Sequence, residues 1–371
     1  MENEWTDKPT KVGSGRLSKS LSYIVFITWT IITIVPLFWM FYSSFKTNEE
    51  LNRSIFSLPH AMFDNNNDEY IVVKPQLNLM YPYDPAVDTR ERLIIESTEI
   101  APQRRLMVFF LLKTELPPAV AALVPNDTLR LNQLPTNMRL SISLKTMVWN
   151  YTSALFRGGL FQKFGNSLIY TFVSSFFVVF LGLMIGFALS KMQFKKISAV
   201  IMGLIGLGYL ISINSVIIPL FLMLSSVGLT DSHIGIILVY VAFGLPMAVL
   251  LSTQFMKGLP DSLIESAYID GASVFRTFVS IIIPMTIPVI ITIGIMCGLG
   301  IWNEFLLVLV LASSDLTKSL PVGVFSFSSL TGTQLGWQLA ALVIATAPAM
   351  VVYFSFQRRL AEGVAGGALK E

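Results

Sequence analysis

The chain has 371 residues, of which 53% are hydrophobic and only 13% are charged. Soluble domains carry about 25% charged residues, and the mean hydropathy here is +0.66. This composition excludes an ordinary soluble domain and indicates a membrane protein. The formal net charge of +3 gives no indication of a nucleic-acid partner, and the single cysteine, Cys297, excludes a disulfide within the chain.

Six apolar stretches are long enough to form membrane-spanning helices, since a helix crosses a bilayer in about 20 apolar residues. Pro219 and Pro246 fall inside the third and the fourth stretch, where a proline can kink the helix. The predicted spans are 21–45, 166–190, 197–224, 233–256, 284–311 and 336–357.

Lysine and arginine are concentrated on one side of these spans, and short loops that carry them face the cytoplasm. The loop near 225–232 contains neither residue, and the loop near 312–335 contains only Lys318. We therefore predict that both termini are cytoplasmic. The basic residues on the cytoplasmic side are Lys8, Lys11, Arg16, Lys19, Lys191, Lys195, Lys196, Lys257, Arg276, Arg358, Arg359 and Lys370.

The segment 47–148, between the first two spans, differs from the rest of the chain because charges of both signs are common in it. Four apolar runs with partial alternation are typical of strands, and turn-forming sequences separate them. We predict a small, mostly β domain on the extracytoplasmic side. The alternative is a disordered loop, which such apolar runs disfavour. The predicted strands lie at 69–75, 91–100, 104–116 and 137–146.

The chain lacks the motifs of several enzyme classes. It contains no G-x-x-x-x-G-K-[ST] phosphate-binding loop, no H-E-x-x-H motif and no Cys/His cluster, so neither a P-loop ATPase nor a zinc enzyme is indicated. Ion-driven pumps need relays of acidic or histidine residues in the bilayer, whereas Glu304 is the main charged residue of the predicted spans. We expect a transport path without catalysis, cofactor or metal, whose energy comes from elsewhere.

The segment 257–283 lies in the cytoplasm by this topology, between the fourth and the fifth span. Pro260 and Asp261 suit the first turn of a helix, and apolar residues follow at spacings of three and four. Gly271 permits a turn that other residues resist, and a second helical piece leads to Pro284. The pattern predicts two short helices with an elbow, which present an apolar face to a partner or to the lipid headgroups.

This segment resembles the EAA loop of bacterial ABC importer permeases, in which Glu-small-Ala is followed by Gly and then by Ile-x-(Leu/Ile)-Pro. A Trp-Asn-Glu-Phe sequence at 302–305 and the glycine-rich C-terminal end are similar to the carbohydrate-type subgroup, in particular to the second permease of maltose-like importers. The resemblance covers 21–46 weakly and 149–371 well, but not the insert at 60–148. The matching loop residues are Glu265, Ser266 (in place of the usual alanine), Ala267, Gly271, Ile281, Ile283 and Pro284, with Asp270 before the glycine.

The resemblance implies an all-α polytopic membrane protein with the six transmembrane helices of a type I ABC importer permease, and with the β insert as an addition. Such a subunit moves a sugar or oligosaccharide across the bacterial inner membrane by alternating access. The implied partners are a second, different permease subunit, two ATPase subunits and an extracytoplasmic solute-binding protein. ATP and Mg²⁺ are then bound by the ATPase subunits, and the segment 257–283 is the coupling loop that docks on one of them.

Four polar residues in or near the spans are candidates for the translocation path. Asn214 and Ser215 precede a proline of the third span, and Asn303 and Glu304 lie late in the fifth. Because buried polar groups are costly unless they are hydrogen-bonded, these residues either line the path or form hydrogen bonds between helices. The sequence leaves both roles open.

Other functions and another cargo remain as alternatives. An ion-coupled secondary transporter and an assembly protein without transport activity are the rival classes, and a glycerol phosphate or another polar solute is an alternative cargo. The predicted organisation is a cytoplasmic tail at 1–20, the first transmembrane helix at 21–46, the insert at 47–148, the permease core with five further transmembrane helices at 149–357, and a cytoplasmic tail at 358–371.

Overall fold

A computed structural model of the chain places its residues in two units, Met1–Met147 and Val148–Glu371. Residues 1–15 of the predicted N-terminal tail lie outside the described residues. The structure describes residues 16–46, 48–59, 70–73, 92–97, 108–124, 127–130, 133–192, 195–329, 332–333 and 335–368.

The N-terminal unit begins with helix α1 (Arg16–Ser43), which covers the first predicted span except for its last two residues. Its residues Lys19–Ser43 are long and apolar enough to cross a membrane. The buried Lys46 follows, and its Nζ donates hydrogen bonds to the carbonyl oxygens of Ser54 and Ile55 at 3.1 and 2.9 Å. This lysine therefore ties the end of the first span to the segment after the short helix α2 (Asn48–Arg53).

A four-stranded antiparallel sheet follows in the same unit, with the strand order β3-β2-β1-β4. Three strands lie within the first three segments predicted as strands, and the fourth is a short strand that was not predicted. Ile71 of the central strand β1 lies opposite Ser97 on one side and Leu129 on the other. The strands are β1 (Tyr70–Val73), β2 (Arg92–Ser97), β3 (Val108–Leu112) and β4 (Thr128–Arg130), with the helical turn α3 (Pro118–Ala121) between the last two.

The strand predicted at 137–146 is wrong, because this segment forms helix α4 (Thr136–Met147). Its apolar residues alternate with polar ones, which is the pattern of a strand. In the helix, however, Met138 and Ile142 are buried together while Leu140 and Leu144 are exposed. The buried pair has the spacing of four that one helix face requires. This sequence fits both the two-residue period of a strand and the 3.6-residue period of a helix, so periodicity alone did not distinguish the two structures.

The C-terminal unit is mainly helical, and three of its helices are individually long and apolar enough to cross a membrane: α6, α9 and the first part of α16. They correspond to the second, fourth and sixth predicted spans. The helices are α5 (Trp149–Thr152), α6 (Leu160–Lys191), α7 (Lys195–Tyr209), α8 (Ile217–Ser226), α9 (His233–Lys257), α10 (Asp261–Ile269), α11 (Val274–Thr277), α12 (Ile283–Met285), α13 (Ile287–Asn303), α14 (Leu306–Leu311), α15 (Leu320–Phe325) and α16 (Leu335–Ala368).

Helices α6 and α9 pack against each other through small residues, which let two helix backbones come close. A methyl group added at Gly182 would lie 2.6 Å from Ala248 Cβ, and one added at Gly186 would lie 2.2 Å from Ser252 Oγ. The Ser252 hydroxyl donates a hydrogen bond of 2.8 Å to the carbonyl oxygen of Gly182. Buried residues of α6, α9 and α13, including Cys297, form the adjoining apolar core.

The third predicted span, 197–224, is not one helix. Helix α7 ends at Tyr209 and helix α8 begins at Ile217, and each is shorter than the length that crosses a membrane alone. The intervening residues include Ser212, Asn214 and Ser215. Serine and asparagine side chains compete for backbone hydrogen bonds and so disfavour helix, which accounts for the break.

The fifth predicted span, 284–311, is also interrupted. The helical segments Val274–Met285 and Ile287–Asn303 meet at an angle of 77°, where Pro284 and Pro288 cannot donate backbone hydrogen bonds. Thr286 lies at the bend, and its hydroxyl donates to the carbonyl oxygen of Ile282 at 2.9 Å. A second break after Asn303 separates α13 from α14.

The close approach of α6 and α9 predicts that Gly186→Ala destabilises the protein by about 1–3 kcal/mol, because the added methyl group overlaps Ser252. The matched control is Gly203→Ala on α7, where an added methyl group meets no atom of the described residues within 4 Å. Both changes raise helix propensity equally. The thermal unfolding midpoint of the detergent-purified protein is the measurement, and equal midpoints for the two variants would contradict the packing described.

Candidate functional site

The segment 257–283, called the coupling loop below after its predicted role, contains the two short helices and the elbow that its sequence predicted. Helix α10 follows Pro260, whose extended backbone starts the helix, and helix α11 begins after Ser273, whose hydroxyl accepts the N–H of Arg276 at 3.3 Å. Gly271 lies between the helices with a φ of +78°. Residues with a Cβ rarely adopt this left-handed conformation, so the elbow depends on glycine.

One face of α10 anchors the loop to the C-terminal unit. Ile264 and Ala267 are buried, and Ile264 belongs to the apolar core that also contains Phe187 of α6 and Phe278. The ring centroids of Phe187 and Phe278 lie 5.5 Å apart. The spacing of three between Ile264 and Ala267 therefore marks the inward face of the helix.

Large apolar side chains are exposed in two adjacent pairs, one at the end of α10 and one at the start of α11. Ile269 is 85% exposed and Phe275 is 65% exposed, and Tyr268 and Val274 are exposed as well. We call these four residues the loop face. Groups of exposed large apolar side chains are typical of a site where another protein or a membrane binds.

The structure brings most of the predicted docking residues together on this loop. Glu265 and Asp270 are exposed, as is Ser266, whose hydroxyl donates to the carbonyl oxygen of Ser262 at 2.8 Å. Ala267 points inward and serves the anchor instead. Pro284 lies apart from these residues, in α12 at the bend before α13.

A cavity of about 790 Å³ lies beside the coupling loop. Its walls come from the ends of α6 and α9, from α7, from α10 and from the start of α11. Charged residues of both signs line it together with apolar ones, and they include Lys191, Lys257, Asp261 and Glu265. The cavity therefore has no net preference for one sign of charge.

The four candidate path residues lie at the other end of α13. Asn214 and Ser215 are exposed in a 3-10 turn, and this turn packs against α14. The side chain of Asn303 donates to the carbonyl oxygen of Leu299 in its own helix at 2.9 Å. Glu304 accepts the N–H of Leu307 at 2.8 Å and so caps the start of α14.

A polar network near these residues was not predicted. Asp231 lies in the loop before α9 and accepts hydrogen bonds from the Ser314 backbone N–H at 3.0 Å and from the Thr317 hydroxyl. It has a φ of +52°, which is uncommon for a residue other than glycine. The Tyr170 hydroxyl donates to the carbonyl oxygen of Thr317 at 2.6 Å. These contacts fix the loop between α14 and α15 to α6 and to the loop before α9.

The network lowers the pKa of the Asp231 carboxyl below its usual range. The largest cause is the hydrogen bond from the Thr317 hydroxyl, followed by the bond from the Ser314 N–H, and partial burial opposes them. The carboxylate of Asp315 in the same loop also has a lowered pKa, because Lys318 donates a hydrogen bond to it and the charge of Lys163 lies nearby. The only signal of this network in the sequence is an acidic residue in a loop without basic ones.

Comparison with known proteins places the chain in a family. Residues 151–366 match the family described as the binding-protein-dependent transport system inner membrane component. The diacetylchitobiose uptake system permease protein NgcG of Streptomyces coelicolor is 26% identical over 360 residues, which cover 96% of this chain and 91% of NgcG. The trehalose transport system permease protein SugB of Mycobacterium tuberculosis is 31% identical over 233 residues, which cover 61% of this chain and 83% of SugB.

A solved structure has the same fold. It is a chain in the crystal structure of a bacterial ABC transporter involved in the import of the acidic polysaccharide alginate, with a TM-score of 0.61 and 16% identity. The match covers 95% of this chain and 99% of that chain. At this identity the likeness establishes the fold of the present chain and not its cargo.

The lowered pKa of Asp231 predicts how its contribution to stability varies with pH. Because the folded-state pKa lies below the unfolded one, the contribution is complete above the ordinary pKa of about 4 and disappears as the pH falls through the folded-state value. At pH 7 we expect Asp231→Ala to lose about 1–3 kcal/mol of unfolding free energy with its hydrogen bonds. Its unfolding temperature should therefore lie below that of the wild type, and this difference should shrink below pH 4.

Asp231→Asn is the matched control for this prediction. Asparagine keeps an acceptor for Ser314 and Thr317 and tolerates the left-handed backbone, so its unfolding temperature at pH 7 should fall between those of the wild type and of the alanine variant. A difference between the wild type and the alanine variant that does not change with pH would contradict the charge-dependent contribution.

Proposed function

The chain belongs to the inner membrane components of binding-protein-dependent transport systems, and we propose that it is the permease subunit of an ATP-driven importer for a sugar or oligosaccharide. The names of its relatives support the cargo class, since NgcG and SugB are named for the uptake of diacetylchitobiose and of trehalose. As a member of this family the chain is a membrane transport subunit and not an enzyme.

We propose six membrane crossings. Four helices of the described residues have the length and composition of a span. We place the fifth crossing in Ile287–Asn303, the second part of the bent pair, and leave Val274–Met285, the first part, at the cytoplasmic surface. The sixth crossing would be formed by α7 and α8 together, since both are apolar. The distribution of Lys and Arg supports cytoplasmic termini, with the coupling loop in the cytoplasm and the sheet of the N-terminal unit outside.

The coupling loop would receive the movement of an ATPase subunit. Its anchored face and its exposed loop face support this role, because a lever needs one side fixed to the spans and one side free for the partner. Glu265, Ser266 and Asp270 would contact the partner at the edge of the loop face. Two ATPase subunits would bind and hydrolyse ATP with Mg²⁺, and a second permease subunit and a solute-binding protein would complete the importer.

The candidate path residues would have different roles. The exposed positions of Asn214 and Ser215 support a place on the wall of the path, at the break between α7 and α8. Asn303 and Glu304 instead bond to backbone groups, which supports a role in holding the path in shape. The engagement of Glu304 as a helix cap also disfavours an ion-driven mechanism, in which this carboxylate would have to bind and release protons.

Docking of the loop face predicts that Ile269→Asp removes the ATPase subunit from the purified complex. A charge at the centre of an apolar interface is costly to desolvate, and we expect at least about a tenfold loss of co-purified ATPase. The control is Leu316→Asp, the same change at a side chain that is 64% exposed in the loop between α14 and α15. It should retain both the ATPase and the second permease.

Loss of the ATPase with Leu316→Asp, or its retention with Ile269→Asp, would contradict the proposed docking side. The second permease subunit serves as an internal standard, because a variant that loses it as well is misfolded rather than uncoupled.

The proposed cargo is tested by uptake into liposomes that contain the complete complex and its binding protein. We expect ATP-dependent accumulation of at least one labelled saccharide from a panel of trehalose, diacetylchitobiose and longer oligosaccharides, and no effect of an ionophore that collapses ion gradients. Uptake that persists without the ATPase subunits would instead support ion coupling. Uptake of glycerol 3-phosphate alone would overturn the sugar assignment.

A further inference from the structure

Lys191 is the last residue of α6, and its ammonium group reaches the joint between α9 and α10. Its sequence position suggested a loop charge, yet only 4% of its side chain is exposed. Lys191 Nζ donates a hydrogen bond of 2.6 Å to the carbonyl oxygen of Leu259 and forms an ion pair with the carboxylate of Asp261. These two acceptors lie on either side of Pro260, where the chain turns from one helix into the next.

The backbone hydrogen bonds that close the end of α9 stop at the joint. The N–H of Gly258 donates to the carbonyl oxygen of Phe255 at 3.1 Å and the N–H of Leu259 to that of Met256 at 3.0 Å, whereas Pro260 has no N–H to donate. The direction of α10 relative to α9 therefore depends on side-chain contacts as well.

The position of Lys191 is fixed on its other side by the packing of α6 against α9. The glycines of α6 lie against Ala248 and Ser252, and the hydrogen bond from Ser252 to Gly182 joins the two helices directly. Lys191 therefore connects the joint to a rigid pair of helices. The two acceptors constrain the direction of the joint, since charge-assisted hydrogen bonds are strong and directional.

We infer that Lys191 is a positioning residue for transport: it clamps the joint before α10, so that the coupling loop and the pair α6 and α9 move as one body. This inference rests on the proposed function, because it requires that α10 receives the movement of an ATPase subunit. The apolar contact of Ile264 holds α10 against the core, but apolar contacts are not directional. The clamp supplies the direction that the apolar contact does not.

The test compares Lys191→Met with the conservative Lys191→Arg in the complete complex in liposomes. Methionine keeps much of the apolar stem without the charge, whereas arginine keeps the charge and the donors. The readout is the number of cargo molecules imported per ATP hydrolysed. We expect this ratio to fall about fivefold in Lys191→Met, a size typical of residues that carry coupling between sites, and to stay close to the wild type in Lys191→Arg.

The control for the loss of a lysine is Lys196→Met, at an exposed position near the start of α7, which should leave the ratio unchanged. Asp261→Asn is a second variant, for use if Lys191→Met does not assemble. It should fold, because Asp261 is 76% exposed and the hydrogen bond from Lys191 to Leu259 remains. We expect a smaller fall of the ratio in this variant.

An unchanged ratio in an assembled Lys191→Met complex, even with a lower unfolding temperature, would overturn the inference and leave Lys191 a purely stabilising residue. Should Lys191→Met not assemble, an unchanged ratio in Asp261→Asn would overturn it. Failure of the proposed function has a different signature, because the wild-type complex itself would then show no import that depends on ATP.

Discussion

The close contact between α6 and α9 is the constraint on which the rest of the C-terminal unit depends. Glycines at 182 and 186 bring the two helix backbones together, and Ser252 joins them by a hydrogen bond within the apolar core. In a bilayer the hydrophobic effect does not drive helices together, so close van der Waals packing and hydrogen bonds must do so. The helix pair then provides fixed ends for the coupling loop on one side and for the Asp231 network on the other.

The two ends of this pair are built differently. The end that leads to α10 combines an apolar anchor at Ile264 with the ion pair between Lys191 and Asp261. At the other end, side-chain hydrogen bonds to backbone groups hold the loop between α14 and α15, among them those of Tyr170 and Asp231. Backbone contacts fix a loop without dictating which residues it exposes, so this loop can keep its shape while its exposed side chains vary.

The sequence predicted the elements whose signal is a long apolar run or a motif. Helices α1, α6, α9 and α16 were placed correctly, and so were the two short helices of segment 257–283, from Pro260 and Gly271. It did not predict the breaks in the third and the fifth span, because hydropathy measures transfer into the bilayer and is insensitive to the continuity of backbone hydrogen bonds. Helix α4 was mistaken for a strand because its apolar residues satisfy both periods.

The candidate site was predictable only in part for a related reason. Motif residues such as Glu265 and Gly271 are local in sequence, whereas the contacts of Lys191 and of Asp231 join segments about 70 and 83 residues apart. No pattern within a single segment reports such pairs. The insert resembled no known family member by its motifs, yet the alignment with NgcG covers 96% of this chain and so includes most of it.

The burial of Cys297 in the apolar core between α6, α9 and α13 has a practical consequence. The only thiol of the chain is packed among apolar residues, which shields it from water-soluble reagents. A cysteine introduced at the loop face or beside Asp315 would therefore react with a water-soluble maleimide, while Cys297 would be labelled very little. Fluorescence or spin labels at these two sites could therefore be followed during a transport cycle without first replacing the native cysteine.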